Sequence, residues 1–278
     1  MNRLCRVRAI AVLVAGSLLL AGPARASHFR FATLSWRPKP GGPANTVQFT
    51  VQEGWRRSAF IGTPSGGPPI VGDTIFADGE LDFGDGSESV PIEILVTSVN
   101  EDQDWFSGTT QTPIEHTYPA PNDEGQPWLA SVDSCCRIDS LQNNAGGSFH
   151  FETTVDLAAP PHAPNGSPIT TELPIVGVPP NAVASFFVPA VDPDRDALTW
   201  RLSTSQEAAG VEELFVQPPD LAVAAETGKV SWNTTGHSCG QLPPGAPCLW
   251  SLAITIQDGS TKIPLDFIVS VTRNTIGH

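Results

Sequence analysis

Apolar side chains recur at every second position along most of the chain. Val47, Phe49, Val51 and Trp55 share one parity, with polar residues mostly between them. Phe149, Phe151, Thr153, Val155 and Leu157 repeat the pattern, as do Trp250, Leu252, Ile254 and Ile256, and then Ile263, Leu265, Phe267, Val269 and Val271. A period of two puts each set on one face of a sheet and turns the alternate positions outward. Asp258-Gly259-Ser260 separates the last two sets and predicts a hairpin turn. Long helical periodicity is missing; Ser205–Leu214 predicts one short helical turn or a loop.

The breaks between these runs are rich in the chain's 27 prolines and 25 glycines. Many short strands joined by Gly/Pro turns predict an all-β fold of sandwiches. A chain of 278 residues suits two such domains. The densest break is Ala158–Pro168, where proline stiffens the backbone into an extended spacer. The expected organisation is therefore a leader over 1–26, a β-sandwich over 27–157, a Pro-rich linker over 158–168 and a second β-sandwich over 169–278. Both sandwiches are expected to be immunoglobulin-like, with Greek-key order.

The leader is read from Arg3, Arg6 and Arg8, the apolar run Ala9–Leu20 and the small-x-small triplet Ala24-Arg25-Ala26. This is a secretory signal peptide, cleaved so that the mature chain begins at Ser27. Its apolar run is too short to span a bilayer, so no membrane insertion is expected after cleavage. The expected location is extracellular or at the cell surface. The chain carries 15 basic and 29 acidic residues, a formal charge of −14, and cleavage removes arginines but no acids. So acidic a surface argues against nucleic acid and anionic membranes as partners. It suits cations, or an extracellular glycan or protein.

Export also makes disulfides the default state of the remaining cysteines. Cys239 and Cys248 flank a Gly/Pro-rich stretch and are expected to staple a loop tip. The adjacent Cys135 and Cys136 leave three readings open: a vicinal disulfide, separate partners, or free thiols on opposite faces of a strand.

Two resemblances follow from short motifs. Leu81-Asp82-Phe83-Gly84-Asp85-Gly86-Ser87 followed by His116-Thr117-Tyr118 resembles a polycystic-kidney-disease (PKD) domain. There, Asp82 and Asp85 would cap a tight turn and Tyr118 would bury its ring and hydrogen-bond its hydroxyl. Ala190–Trp200, then Leu221 with Glu226–Trp232, then Ile256-Gln257-Asp258-Gly259, resemble in order the cadherin-like and immunoglobulin-like modules of bacterial surface proteins. The resemblance implies a non-catalytic adhesion or binding role.

Candidate chemistry is sparse. Asp192, Asp194 and Asp196 stand two apart in a predicted loop, and Asp258 lies at another turn. Such oxygens suit calcium, which takes six to eight hard ligands; turn capping by the same residues is the competing reading. Asp102 and Asp104 beside Trp105 are a candidate ligand-binding set, with the indole stacking on a sugar and the carboxylates accepting its hydroxyls. Asn165-Gly-Ser and Asn233-Thr-Thr match the glycosylation acceptor pattern. No nucleophile elbow, His-Glu-x-x-His or phosphate loop occurs, so the chain is not expected to be an enzyme. The alternative kept open is a secreted polysaccharide-active enzyme or an accessory module of one. Its sharpest form is a copper site at His28, were cleavage to fall after Ser27.

Overall fold

The computed structural model describes residues 28–158, 165–211, 214–237, 239 and 246–272. The leader lies outside the described residues. The first half of the chain forms strands β1 (Phe29–Pro38), β2 (Thr46–Arg56), β3 (Thr74–Asp82), β4 (Val90–Asn100), β5 (Trp105–Thr110), β6 (Ile114–Thr117), β7 (Trp128–Cys135) and β8 (Ser148–Val155). The second half forms β9 (Ile169–Thr170), β10 (Ile175–Val178), β11 (Val183–Phe187), β12 (Ala190–Val191) and β13 (Thr199–Leu202). These are followed by helix α1 (Ser205–Ala209), β14 (Leu221–Val223), β15 (Lys229–Asn233), β16 (Cys248–Gln257) and β17 (Lys262–Val271). The fold class is all-β, as the alternation predicts.

One hydrogen-bonded sheet passes through both halves. Its order is β13-β16-β17-β1-β2-β5-β4-β3-β7-β8, with β10 also on β17 and β6 also on β2. β11-β15-β14 and β12-β9 form two smaller sheets. The joint is β1 against β17, antiparallel at Ala32↔Asp266 and Thr33↔Leu265. β1 can serve two cores because a register shift between Phe29 and Phe31 breaks its alternation. Phe29, Ala32, Leu34 and Trp36 face the first core, whereas Phe31 joins the second. The strand is therefore buried almost throughout.

Between the cores lies a third apolar cluster, built from both halves: Trp105, Ile138 and Leu141 meet Ile175, Leu249 and Ile268. α1 covers one side of this junction. It forms where Thr204 and Glu207 make a reciprocal capping box, and it ends at Gly210 in the left-handed conformation. The described end of the Pro-rich segment is docked rather than free. Ser167 is fully buried, its N–H donates to the Trp36 carbonyl at 3.0 Å, and its hydroxyl accepts from the Trp36 N–H at 2.8 Å.

Arg137 sits in the middle of the junction at 1% exposure. It grips Asp266 through two parallel hydrogen bonds of 2.9 and 2.6 Å. It also donates to the Ala208 carbonyl, the Ser251 hydroxyl and the Ser148 carbonyl. The rings of Phe29 and Phe215 flank the guanidinium. Arg137 directly follows the Cys135–Cys136 vicinal disulfide, whose peptide bond is cis. Cleaving one member of a buried ion pair strands the other. We expect Arg137→Ala to lower unfolding free energy by about 3–5 kcal/mol in urea titration, and an Arg137→Met/Asp266→Leu pair to recover most of that. A loss below about 1 kcal/mol, the range of exposed pairs, would show that the halves are held elsewhere.

Glu53 is a carboxylate on the core-facing side of β2. It lies on the same parity as Val51 and Trp55, is fully buried, and accepts one hydrogen bond, from the Trp55 indole at 3.0 Å. Burial pushes its carboxyl up to about 8, against that hydrogen bond and with help from the Asp78 charge. Its folded pKa thus exceeds the unfolded value, so stability falls as pH rises from about 4.5 toward 8. Glu53→Gln is expected to raise the Tm at pH 8 and to leave it unchanged at pH 4. An equal gain at both pH values would contradict a protonated Glu53.

Candidate functional site

The outer face of β4, β3 and β7 carries a candidate site. Alternation along β3 turns Phe76, Asp78, Glu80 and Asp82 outward, while Ile75 and Leu81 point into the core. β7 contributes Leu129, Ser131 and Asp133 to the same face, through the pairing of Asp82 with Ser131. β4 adds Glu93 opposite Phe76. A cleft of about 320 Å³ opens here, lined by Gly79, Glu80, Asp82, Ser89, Ser131 and Asp133. Ser89 donates to Glu80 at 2.5 Å, and the Gly84 N–H donates to Asp82 at 2.7 Å, so both carboxylates are held in place. Phe76, further along the same outer face of β3, is 65% exposed. The outer face therefore offers fixed negative charge, with an accessible ring further along the same strand.

A chain of ionised groups runs from this cleft into the junction. Asp133 accepts from His150 Nδ1 at 2.7 Å, and Glu152 accepts from His150 Nε2 at 2.9 Å. Glu152 then meets Lys262 on β17, which also donates to Glu207 on α1 at 2.8 Å. Arg201 closes the chain with two bonds to Glu207, of 2.7 and 2.6 Å. Burial alone would raise the Glu207 carboxyl, but Arg201, Lys262 and the Thr204 N–H outweigh it and hold it far below the usual range. Burial alone would likewise lower His150; the two carboxylates override it and push it up to about 9.

The residues singled out from sequence lie elsewhere. Trp105 is 5% exposed and packed in the junction cluster, its indole N–H donating to Gln103. It offers no ring for sugar stacking, because the second half of the chain covers it. Asp104 accepts from the Ser58 N–H and hydroxyl at 2.7 and 2.6 Å, holding a 3-10 turn, and Asp102 stands exposed. The proposed trio is thus split between core, turn and solvent.

Asp192 and Asp258 each cap a turn. Asp192 Oδ1 accepts from the Asp194 and Asp196 N–H groups, and Asp258 Oδ1 accepts from the Ser260 and Thr261 N–H groups. Asp194 accepts from the Gly166 N–H at 2.8 Å. Asn165 is 1% exposed and donates to Asp258 and Ser260, a position closed to glycosylation; Asn233 is exposed. Cys239 and Cys248 are joined by a disulfide. Glu115 and His116 point apart, Glu115 to Lys39 and Gln48, His116 to Asp85. Among the described residues no helix is long and apolar enough to cross a membrane.

The motif turns have the geometry their residues demand. Tyr118 is buried and its hydroxyl donates to the Phe83 carbonyl at 3.0 Å. Gly84 has positive φ, and a Cβ there would collide with the Leu129 carbonyl. The families inferred from those turns do not stand, however. Residues 30–158 match the family described as "Integrin beta-like protein A-E, N-terminal". The chain is 34% identical over 216 residues, 76% of its length, to integrin beta-like protein A of Dictyostelium discoideum. It is 34% identical over 200 residues, 69% of its length, to integrin beta-like protein C of the same organism. To integrin beta-like protein B it is 29% identical over 248 residues, 88% of its length, which carries the likeness well into the second half. The chain spans about a tenth of the length of these relatives. This pattern replaces both the PKD and the cadherin-like readings. Their motifs are Asp-Gly turns and a buried tyrosine, which any antiparallel sandwich can use.

The sequence reading passed over Glu80 and Asp133 and took Asp82 only as a cap. The available signal was the outward parity of β3, four residues with three acids among them. The raised pKa of His150 has a direct consequence. Its contribution to stability is complete below the unfolded value near 6.5 and is lost as pH rises toward 9. Titration by NMR is expected to place the His150 imidazole midpoint near 9, and His150→Gln to flatten the Tm profile between those limits. A midpoint near 6.5 would break the chain of charges at its first link.

Proposed function

We propose that the chain is an extracellular, non-catalytic binding module of adhesion type, exported by its leader and secreted or kept at the cell surface. It receives a basic surface of a protein partner on the outer face of β4, β3 and β7. The observation that carries this reading is the cleft lined by Glu80, Asp82 and Asp133, with Phe76 exposed further along the same strand face. Carboxylates held by neighbouring donors keep their positions as a partner approaches, so little ordering is required on binding. Their field steers a cationic partner, and the exposed ring adds apolar contact along the same face. The names of the relatives, all integrin beta-like, support an adhesive setting.

Beads coated with the mature chain are expected to attach to cells of the source organism. Attachment should fall steeply between low salt and about 0.5 M NaCl, as screening shortens the reach of surface charge. The combined variant Glu80→Gln/Asp82→Asn/Asp133→Asn, which keeps every local hydrogen-bond acceptor, should lose at least tenfold in attachment. Undiminished attachment by that variant, or wild-type attachment no better than albumin-coated beads, defeats the reading. Selective capture of one sugar class on a glycan array would replace the protein partner with a glycan.

A further inference from the structure

Strand β11 has a neighbour on one side and an open edge on the other. It pairs with β15 from Val183↔Asn233 to Phe187↔Lys229, and β15 in turn pairs with β14, so β11 ends that sheet. An antiparallel strand directs the backbone groups of alternate residues to opposite sides. The parity is fixed at both ends of the β11–β15 ladder. The Val188 N–H donates to the Gly228 carbonyl at 2.9 Å, and the Thr234 N–H donates to the Ala182 carbonyl at 2.9 Å. The even-numbered residues of β11 therefore face β15. The N–H and C=O groups of Val183, Ser185 and Phe187 face away from it. Among the described residues no other strand pairs with them and no backbone hydrogen bond reaches them.

This edge lacks the usual safeguards. Sheet edges are commonly kept from pairing with another chain by charged side chains, proline or a bulge. Val183-Ala184-Ser185-Phe186-Phe187 contains neither charge nor proline, and its register against β15 runs without a shift. Its outward side chains include large apolar ones: Val183 is 78% and Phe187 62% exposed, while Ala184 points inward. The same parity carries the stripe on to Val191, exposed opposite Ile169. Charge decides what can approach. The chain has a formal charge of −14, so two copies repel wherever their acids meet. On β11 and β15 the only charged side chain is Lys229. Two copies can therefore meet along these strands without acid facing acid.

We propose that β11 is a self-association edge, on which a second copy of this chain adds its own β11, antiparallel, about a two-fold axis at Ser185. The strand is complementary to itself in that register. Ser185 stands opposite Ser185 of the second copy, and Val183 stands opposite Phe187 of the second copy on either side of the axis. These are the residues whose N–H and C=O groups point to the open side, so each opposed pair exchanges both of its bonds. On the outer face each Phe187 ring packs against a valine, a favourable aromatic and β-branched pair. Lys229 lies beside Phe187 in the same row, and the far end of that row is Asn233 of the second copy, so no like charges oppose each other. The contact uses the same patch on both copies and closes as a dimer. It involves no residue of the cleft on β3 and β7.

The test is sedimentation equilibrium of the mature chain. A contact one strand long is small, and small interfaces bind weakly, so loading extends to about 0.5 mM. A monomer–dimer equilibrium is expected. Val183→Lys/Phe187→Lys sets lysines against each other across the axis and should weaken the dimer by roughly tenfold or more. Both side chains are exposed, so the Tm of the dilute variant should stay close to that of the wild type. Ser185→Cys tests the register. Opposed Cα atoms in a hydrogen-bonded pair lie about 5.5 Å apart, within reach of a disulfide. Under oxidation this variant should form a covalent dimer faster than Ala222→Cys, an exposed position on β14 at the far side of the same sheet. A monomer at every concentration overturns the proposal and leaves the edge to a strand of another protein. A dimer that the double lysine variant leaves intact overturns it too, as does cross-linking of Ser185→Cys no faster than that of Ala222→Cys.

Discussion

The two halves of this molecule are held by a contact that is expensive to make. Arg137 and Asp266 are both nearly inaccessible, and burial pushes the Asp266 carboxyl up even with Arg137 against it. Such a pair gains little over an apolar substitute, yet it tolerates only one arrangement. Five hydrogen bonds fix the guanidinium to β8, α1, β16 and β17 at once. An apolar contact at the same place would allow the halves to slide. The pair forces β17 to sit where it can continue the ladder of β1. The continuous sheet and the buried Trp105 both depend on that placement.

Much of this was legible in the sequence, and the limit is physical. Alternation at Val47–Trp55, Phe149–Leu157 and Ile263–Val271 marks strands because side-chain parity is a local property. The buried Tyr118 and the Cys239–Cys248 bond also follow from neighbours or near neighbours. The β1–β17 pairing joins residues more than two hundred positions apart, and no local pattern encodes it. Trp105 illustrates the consequence. Its sequence surroundings are acidic and look exposed, but the residues that bury it come from the other half of the chain. Glu53 misleads in the opposite direction, a charged residue type on a core parity, kept there by a single indole N–H.

The same limit explains the family reading. Leu81–Ser87 and Glu226–Trp232 dictate tight turns, and the turns are present. Gly84 abuts the Leu129 carbonyl and Gly228 abuts Trp200, so each glycine answers a steric demand. Steric demands of this kind recur in unrelated sandwiches and therefore identify a turn rather than a lineage. The candidate cleft was obscured for a related reason. Glu80 and Asp82 come from one strand, but Asp133 joins them only through the β3–β7 pairing, again a long-range event.

Charge distribution ties the junction to the outer face. The chain has few cations, and the structure places Arg137, Arg201 and Lys262 around the junction, against Asp266, Glu207 and Glu152. Arg30 is buried as well, beside Gln103. Each cation used in this way leaves the exposed strands with less to offset their acids. Asp78, Glu80, Asp82 and Glu93 on the outer face stand without a basic partner among the described ion pairs. Asp133 belongs to both systems, since one oxygen bonds His150 while the side chain remains 66% exposed. The negative field at the cleft is thus set by how the junction consumes positive charge. Loosening the junction would free Lys262 and Arg201 toward solvent and weaken that field, so the cleft and the clamp are parts of one electrostatic arrangement.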